Sequence, residues 1–242
     1  MNDHQLAAAL AAEAGQLLLR VRDDLADAHP AERKAQGDCL SHRYLMDRLA
    51  EARPDDAVLS EEGLDDAARL GAERVWIVDP LDGTREFAEP GREDWAVHVA
   101  LWQDGRLSAG AVALPAQGIT LATPTVARPA PRPATPRIVV SRSRPPAEAE
   151  RVRGSLGGTL IQMGSAGAKV AAVIAGRAEI YLHSGGQYEW DSAAPVAVAT
   201  AAGLHASRID GSPLRYNRAD PLLPDVLVCR AEWTEAALAA LR

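Results

Sequence analysis

Apolar residues near the start of the chain recur at helical spacing, with Leu6, Leu10, Leu17 and Leu18 on one side. The pattern predicts an amphipathic helix capped at Asn2 or Asp3. A second helix is predicted over 41–53, stopped by Pro54, which disfavours helical geometry in the residue before it. At Val75 the texture changes, and VWIVD (75–79) reads as a buried strand. WAVHVALW (95–102) and LSAGAVAL (107–114) alternate on either side of an Asp104-Gly105 turn signal. GITLAT (118–123) adds a third strand to that meander. Beyond residue 136, strands and helices take turns. Strands are predicted over 137–141, 159–163, 178–182 and 225–229, and helices after 141 and over 166–176, 192–203 and 234–242.

This divides the chain into an α+β half (1–126), a Pro-rich connector (127–136) and an α/β half (137–242). Pro129, Pro131, Pro133 and Pro136 favour extended backbone in the connector. Composition leaves open whether it packs onto the body.

Two hundred and forty-two residues are ample for a sizeable core, and with 4% aromatics that core must lean on Ala, Val and Leu. The net charge of −7 argues against a nucleic-acid polymer as partner, although cations inside an acidic cleft can still reverse the local field for a small anion. Cys39 and Cys229 make neither a disulfide framework nor a zinc motif, which suits reduced thiols in a cytoplasmic protein. No run approaches the ~20 apolar residues of a membrane span. The first helix carries Asp3 and Glu13 and lacks a basic leader, so it is not read as a signal peptide.

The densest chemistry lies in VWIVDPLDGTREF (75–87), where a buried strand ends on Asp79 and Asp82. Pro80 removes an N–H and fixes its own φ, so a sharp turn is expected there. Gly83 permits a backbone conformation closed to other residues. Both carboxylates and the Leu81 carbonyl would then face one spot, and hard oxygens of that kind suit Mg²⁺. The N–H groups of Gly83 and Thr84 open the next turn, where anions bind. A solvated Asp-Gly turn would explain the dipeptide alone, but not the apolar strand, the Pro and the Thr around it. Haloacid-dehalogenase-type phosphatases read Asp-x-Asp-Gly-Thr, with a nucleophilic first Asp. Here the acids are three apart, which changes their relative direction on an extended backbone and weighs against a covalent mechanism.

Two further acidic elements flank this one. Ser60-Glu61-Glu62 follows the apolar run 57–59, and Glu61 there is either a metal ligand or half of a solvated pair. Glu189-Trp190-Asp191 leads into SAAPVAVATAAG, where Asp191 sits at an N-cap position and Pro195 is expected in the first turn.

Taken together, DPLDGT, the upstream SEE and the downstream WDSAAPVAVATAAG resemble the inositol monophosphatase-like superfamily of metal-dependent, lithium-sensitive phosphatases, over roughly residues 34–203. The resemblance implies a layered αβαβα fold with two subdomains. It also implies that Glu61, Asp79, Asp82, Asp191 and the Leu81 carbonyl hold two or three Mg²⁺. Within the superfamily, Asp82-Gly83-Thr84-Arg85-Glu86-Phe87 departs from the Asn-Phe ending of inositol phosphatases. With GSAGAK (164–169), Ser141-Arg142 and the segment 211–217, it is similar to actinobacterial CysQ-type 3′(2′),5′-bisphosphate nucleotidases. That branch implies hydrolysis of the 3′-phosphate of adenosine 3′,5′-bisphosphate, or of 3′-phosphoadenylyl sulfate, in sulfate assimilation. Asp38 takes the place of a family Asp, but its surroundings, Gly37-Asp38-Cys39-Leu40-Ser41, lack the Thr of the family pattern.

The expected mechanism is direct attack by water without a phosphoenzyme. Glu61, Thr84 and Asp38 are assigned to the attacking side, with Thr84 donating to Asp38. Asp79, Asp82 and Asp191 are assigned to the leaving oxygen, and the Gly83 and Thr84 N–H groups to phosphate oxygens. Gly164, Ser165, Lys169, Arg142 and Asp191 are the expected substrate contacts, with Arg144 as a further cation for a 5′-phosphate. Tyr216 and Trp190 are read as core or rim residues, and His98 as a structural position. The partner is a small phosphate ester, and a homodimer is compatible with the resemblance. Two other readings stay open: a sugar phosphatase acting on inositol phosphate or fructose 1,6-bisphosphate, and a nucleotide sensor without activity.

Overall fold

The computed structural model describes residues 1–127 and 134–242, so most of the Pro-rich connector lies outside the described residues. Helix α1 (Asp3–Asp24) opens on a capping box: the Asn2 side chain accepts from the Gln5 N–H, and Gln5 returns the bond to the Asn2 N–H. Leu6, Leu10 and Leu18 are buried, whereas Leu17 is only partly so. Helix α2 (Pro30–Ala52) starts well before the predicted residue 41. Residues 30–40 hold good helix formers but little apolar pattern, so periodicity missed them. The start is nonetheless well specified, with His29 as cap and Pro30 at the first position.

The first sheet runs in chain order: β1 (Ala57–Ser60), β2 (Arg74–Asp82), β3 (Ala96–Gln103), β4 (Arg106–Leu114) and β5 (Ile119–Ala122). β1 and β2 are parallel, and the rest form the predicted antiparallel meander. Short α3 (Thr84–Ala88) follows β2. The second half contains β6 (Arg137–Ser141), α4 (Glu148–Leu156), β7 (Thr159–Met163), α5 (Ala166–Ile174), β8 (Ile180–Tyr188), α6 (Glu189–Ala201), β9 (His205–Ser207), β10 (Leu222–Cys229) and α7 (Thr234–Leu241). Its sheet has the order β7-β6-β8-β10-β9 and is mixed.

Alternation along the strands builds three apolar layers, because successive side chains leave opposite faces of a sheet. On β2, Trp76 and Val78 face α1 and α2, while Val75 and Ile77 join Val170 of α5 and Val198 of α6. On β8, Tyr181 faces that same central layer, and Ile180 and Leu182 face α4 and α7. The result is the expected αβαβα stack, with α5 and α6 sandwiched between two sheets. Small residues allow it: a Cβ on Gly110 would stand 2.6 Å from Ala197 Cβ, so only glycine lets β4 meet α6 this closely.

Two boundaries differ from expectation in ways that matter. β8 runs on to Tyr188 and passes straight into α6, so Asp191 is the third helical residue and Tyr188 the cap. Pro195 therefore lies inside the helix rather than in its first turn, and its missing N–H leaves the Asp191 carbonyl without a helical donor.

Candidate active site

The turn expected at Pro80 is a bulge within β2. Asp79 pairs with His98 of β3 and Asp82 pairs with Ala96, so three steps on β2 oppose two on β3. In a regular strand, residues three apart face opposite ways. The extra residue cancels that inversion. Asp79 and Asp82 both face the central layer, the side to which His98 points. Pro80 and Leu81 form the bulge: the Leu81 N–H donates to Asp79 Oδ1 (3.0 Å) and buried Ser41 on α2 donates to the Pro80 carbonyl (2.7 Å). Gly83 then takes a left-handed φ of 85°, which lets the chain turn directly into α3.

Asp191 arrives from the start of α6. Its Oδ2 accepts from the Tyr188 N–H at 2.7 Å, which aims the carboxylate back along the helix start. One oxygen each from Asp79, Asp82 and Asp191 then lies within 4.8 Å of the others. Asp82 Oδ2 also accepts from Ser165 Oγ (2.5 Å) and the Gly167 N–H (2.8 Å), and so ties β2 to the start of α5. Ser165 holds φ of 47°, a costly conformation for a side chain with a Cβ, secured by those bonds and by the Ala168 N–H on its Oγ. Lys169 is buried and not a surface helix residue; its Nζ donates to the Ser165 (2.6 Å) and Gly164 (3.1 Å) carbonyls and sits over the Tyr181 ring.

Three like charges at this separation repel strongly. At an effective dielectric of about 20, each pair at 4.8 Å costs roughly 3 kcal/mol or more. Three such pairs rival the whole stability of a domain. The cluster must therefore take up protons or cations. Burial, then the charges of Glu61, Asp82 and Asp191, push Asp79 well above the usual carboxylate range. Burial and Asp82 lift Asp191 to about 6. Asp82 is the exception: burial opposes its charge, but His98, Lys169 and Ser165 outweigh it and hold it down at about 2. Glu61 stands exposed at the lip of the cleft, with its carboxyl end close to the charges of Asp191 and Asp82. Desolvation of that end, then Asp191, raises it to about 8. Glu61 lies outside the tight triad but lines the same cleft, as do Leu81, Gly83, Thr84, Gly164, Ser165 and Lys169.

Two expected residues are placed elsewhere. Thr84 Oγ1 donates to the Leu81 carbonyl (3.3 Å), not to Asp38. Asp38 sits on α2 and does not line the cleft; burial and Glu62 raise it to about 7. Arg142 is turned away as well: it binds Glu86 Oε1 at 2.7 Å and Glu89 Oε1 at 2.8 Å, and the arginines that line the cleft are Arg85 and Arg144. Tyr216 is core, bonded to Ser192, and Trp190 stacks on Tyr188 with ring centroids 4.8 Å apart.

His98 is the main residue that sequence reasoning underrated. It is fully buried, and its Nδ1–H donates to the Trp190 carbonyl at 3.2 Å, since a carbonyl can only accept. Nε2 faces Asp82 Oδ2 at 3.1 Å, off the line of a good hydrogen bond. The signal was available in the alternation of WAVHVALW, which puts His98 on the face of Ala96 and Ala100. His183 and Gln187 on β8 also line the cleft and carried no motif.

The cleft, about 240 Å³, thus has a wall of acids and a wall of donors. The model of the Inositol monophosphatase family matches residues 3–128 and 133–242. A 3′-phosphoadenosine 5′-phosphate phosphatase of Mycobacterium tuberculosis is 54% identical over 238 residues, covering 95% of this chain and 89% of that protein. The 3′(2′),5′-bisphosphate nucleotidase CysQ of Escherichia coli is 31% identical over 237 residues, covering 88% and 94%. Among solved structures, CysQ of Bacteroides thetaiotaomicron, described as a bacterial member of the inositol monophosphatase family, matches with a TM-score of 0.76 at 28% identity, over 94% of this chain and 97% of that one. From its layered stack to its converging aspartates, and along almost its whole length, the chain belongs to the inositol monophosphatase family.

Proposed function

We propose that the protein is a divalent-metal-dependent phosphatase that removes the 3′-phosphate of adenosine 3′,5′-bisphosphate, with 3′-phosphoadenylyl sulfate as a further substrate. The observation that carries the reading is the convergence of Asp79, Asp82 and Asp191 in a buried cleft beside an N–H cradle and donor groups. The activity named for the 54% identical relative supports the choice of nucleotide. A place in sulfate assimilation and inhibition by lithium follow from the same reading.

The donor set fits such a cation. It is all oxygen, two of its three acids are buried and the third half-buried, and its charges are too close to coexist uncompensated. Asp79, Asp82, Asp191 and the Leu81 carbonyl would hold it, with Glu61 at the lip for a second ion. When bound, Mg²⁺ supplies charge neutralisation and Lewis acidity to phosphoryl transfer. The chain itself does the rest. The Gly83 and Thr84 N–H groups hold phosphate oxygens, and the Thr84 hydroxyl and Glu61 orient the attacking water. Asp82 stays ionised because Ser165, Gly167 and His98 surround it. Lys169 offsets the acids from behind by fixing the loop that carries Ser165. Asp38 contributes negative charge near Glu61 rather than a bond to Thr84.

The test is phosphate release with Mg²⁺ from adenosine 3′,5′-bisphosphate, inositol 1-phosphate and fructose 1,6-bisphosphate, each with and without Li⁺. A lithium-sensitive preference for the nucleotide is expected. Preference for either sugar would overturn the substrate and leave the metal site; no release from any of them would favour a nucleotide sensor.

A further inference from the structure

The loop after β1 carries Glu61 along the lip of the cleft and on towards Arg69. Of residues 61–70, Arg69 alone is buried, and Leu64 stands fully in solvent. No apolar side chain pins this stretch, so its place depends on its two ends. At the near end the Glu61 N–H donates to the Val78 carbonyl (3.3 Å) and the Gly63 N–H to the Ser60 carbonyl (3.2 Å). The far end is Arg69, on a single 3-10 turn, Ala67–Gly71. Its Nε and Nη2 fork onto Asp65 at 2.6 and 2.9 Å. Nη1 donates to Asn217 Oδ1 (2.7 Å) and Nη2 to the Arg218 carbonyl (2.9 Å), while Asn217 Nδ2 donates to the Arg69 carbonyl (3.3 Å).

With its other side, segment 216–218 grips the start of α6. The Asn217 N–H donates to Glu189 Oε2 at 2.6 Å and the Arg218 N–H to Oε1 at 2.8 Å. The Tyr216 and Ser192 hydroxyls meet at 3.2 Å. Glu189 and Ser192 flank Trp190 and Asp191, so Asp191 is held from both sides in the chain. The helix start needs that hold, because Pro195 removes one of its backbone bonds. Asn217 suits the junction: its φ of 58° lies in the left-handed region, which Asn enters more readily than most residues.

Resting on the metal-dependent reading above, we infer that Arg69, Asn217 and Glu189 form a latch that sets Glu61 against Asp191 across the cleft, with Arg69 and Asn217 as positioning residues for the cation that Glu61 holds. Contacts run from the lip through Arg69, cross between the halves at Asn217 and end on the turn that carries Asp191. Arg69 and Glu189 bind opposite sides of the same two residues, 217 and 218, so lip and helix start move together. An apolar anchor would fasten the lip without fixing its direction. A guanidinium fixes it, because its donors form a rigid planar fork. Neither Arg69 nor Asn217 lines the cleft, so their effect reaches the site through Glu61 and Asp191.

The experiment titrates Mn²⁺, a cation that carboxylates bind readily, into the full chain without substrate and counts the free ion by electron paramagnetic resonance. Wild type should take up one ion tightly and a second more weakly. Asn217→Gly keeps the left-handed backbone and deletes the acceptor for Arg69. It should weaken the second ion by about tenfold, the scale typical of partners behind metal ligands, and leave the first unchanged. The Mg²⁺ concentration that half-saturates phosphate release should rise by a like factor. Asn217→Asp, which restores an acceptor on a backbone of the same kind, should recover both values. Arg69→Gln should weaken the second ion further, and the Asn217 pair carries the test should that variant not fold. Unchanged Mn²⁺ affinities in Asn217→Gly, even with a lower urea midpoint, would reduce the latch to a structural tie and overturn the inference. Equal weakening of both ions, or a wild type that takes up a single ion, would also overturn it and leave the metal-dependent reading standing. A wild type that takes up no Mn²⁺ would remove that reading, and this inference with it.

Discussion

At the cleft, the half built on the first sheet contributes Glu61, Asp79 and Asp82, whereas the other half contributes Ser165, the Gly167 N–H, Lys169 and Arg144, with Asp191 as its one acid. The acids of the first half come mostly from one bulged strand end. The donors of the second come from a loop after β6 and from the start of α5. Chemistry of the reacting centre is thus locally written, and the groups that neutralise and recognise are gathered from a distance. Asp82 is where the two meet, because Ser165 and Gly167 close on its Oδ2 from across the interface.

The severest way to break this junction is Asp82→Asn. It removes one charge from the cation set and the acceptor that ties α5 to β2. A loss of about 10³-fold or more in kcat is expected in a phosphate-release assay. Near-normal turnover would remove Asp82 from the metal set.

Gly167→Ala attacks the same junction from the other half. Its Cβ would stand 2.3 Å from His98 Nε2 and 2.9 Å from Val112 Cγ1. Overpacking of this kind costs about 1–3 kcal/mol, and it also pushes the Gly167 N–H off Asp82. A lower urea midpoint together with weaker activity is expected. An unchanged midpoint would mean that the two halves have room to move apart.

The difference in charge between the walls predicts a pH effect on the metal-free protein. Glu61 at about 8 and Asp191 at about 6 both sit above their unfolded values near 4. Between those limits the folded state holds more protons than the unfolded one. The contribution of these groups to stability therefore falls as pH rises from about 4 to about 8. Asp82 acts oppositely, losing its contribution only as pH drops from about 4 towards 2. In EDTA, the Tm should decline from pH 5 to pH 8, and saturating Mg²⁺ should flatten the decline. A metal-free Tm that rises over this range would show that the acids do not repel as their geometry implies.

The mildest probe is Ser41→Ala, which deletes the bond to the Pro80 carbonyl but no ligand. About 1 kcal/mol of stability and a modest loss of kcat are expected. A large loss of kcat with unchanged stability would make Ser41 a direct participant in the site.

Legibility followed the same division. Strands over 137–141 and 159–163 emerged from periodicity with their observed bounds, and the meander to within a residue or two, because each is a short apolar or alternating run. The start of α2 did not, since residues 30–40 bury little beyond Arg33 and Gly37. Arg33 is held there by the Leu25, Ala26, Ala28 and Ala88 carbonyls, partners that no local pattern announces. Asp79, Asp82 and Asp191 stood out in the sequence. His98 was hidden because a His in an alternating strand looks like core until the register opposite Asp79 is known.

By itself, then, the sequence determined the element types, the acidic strand end, the glycine that turns it and the acid at the start of α6. These depend on backbone propensity, side-chain period and hard-oxygen chemistry, all read over a few residues. Only the tertiary structure decided that a bulge points both aspartates one way and that Arg142 faces Glu86 while Arg144 faces the cleft. Each of those depends on which distant backbone lies opposite. Strand register and the close approach of the start of α5 to the first half at Gly164 and Gly167 settle that, and no local stretch of sequence contains it.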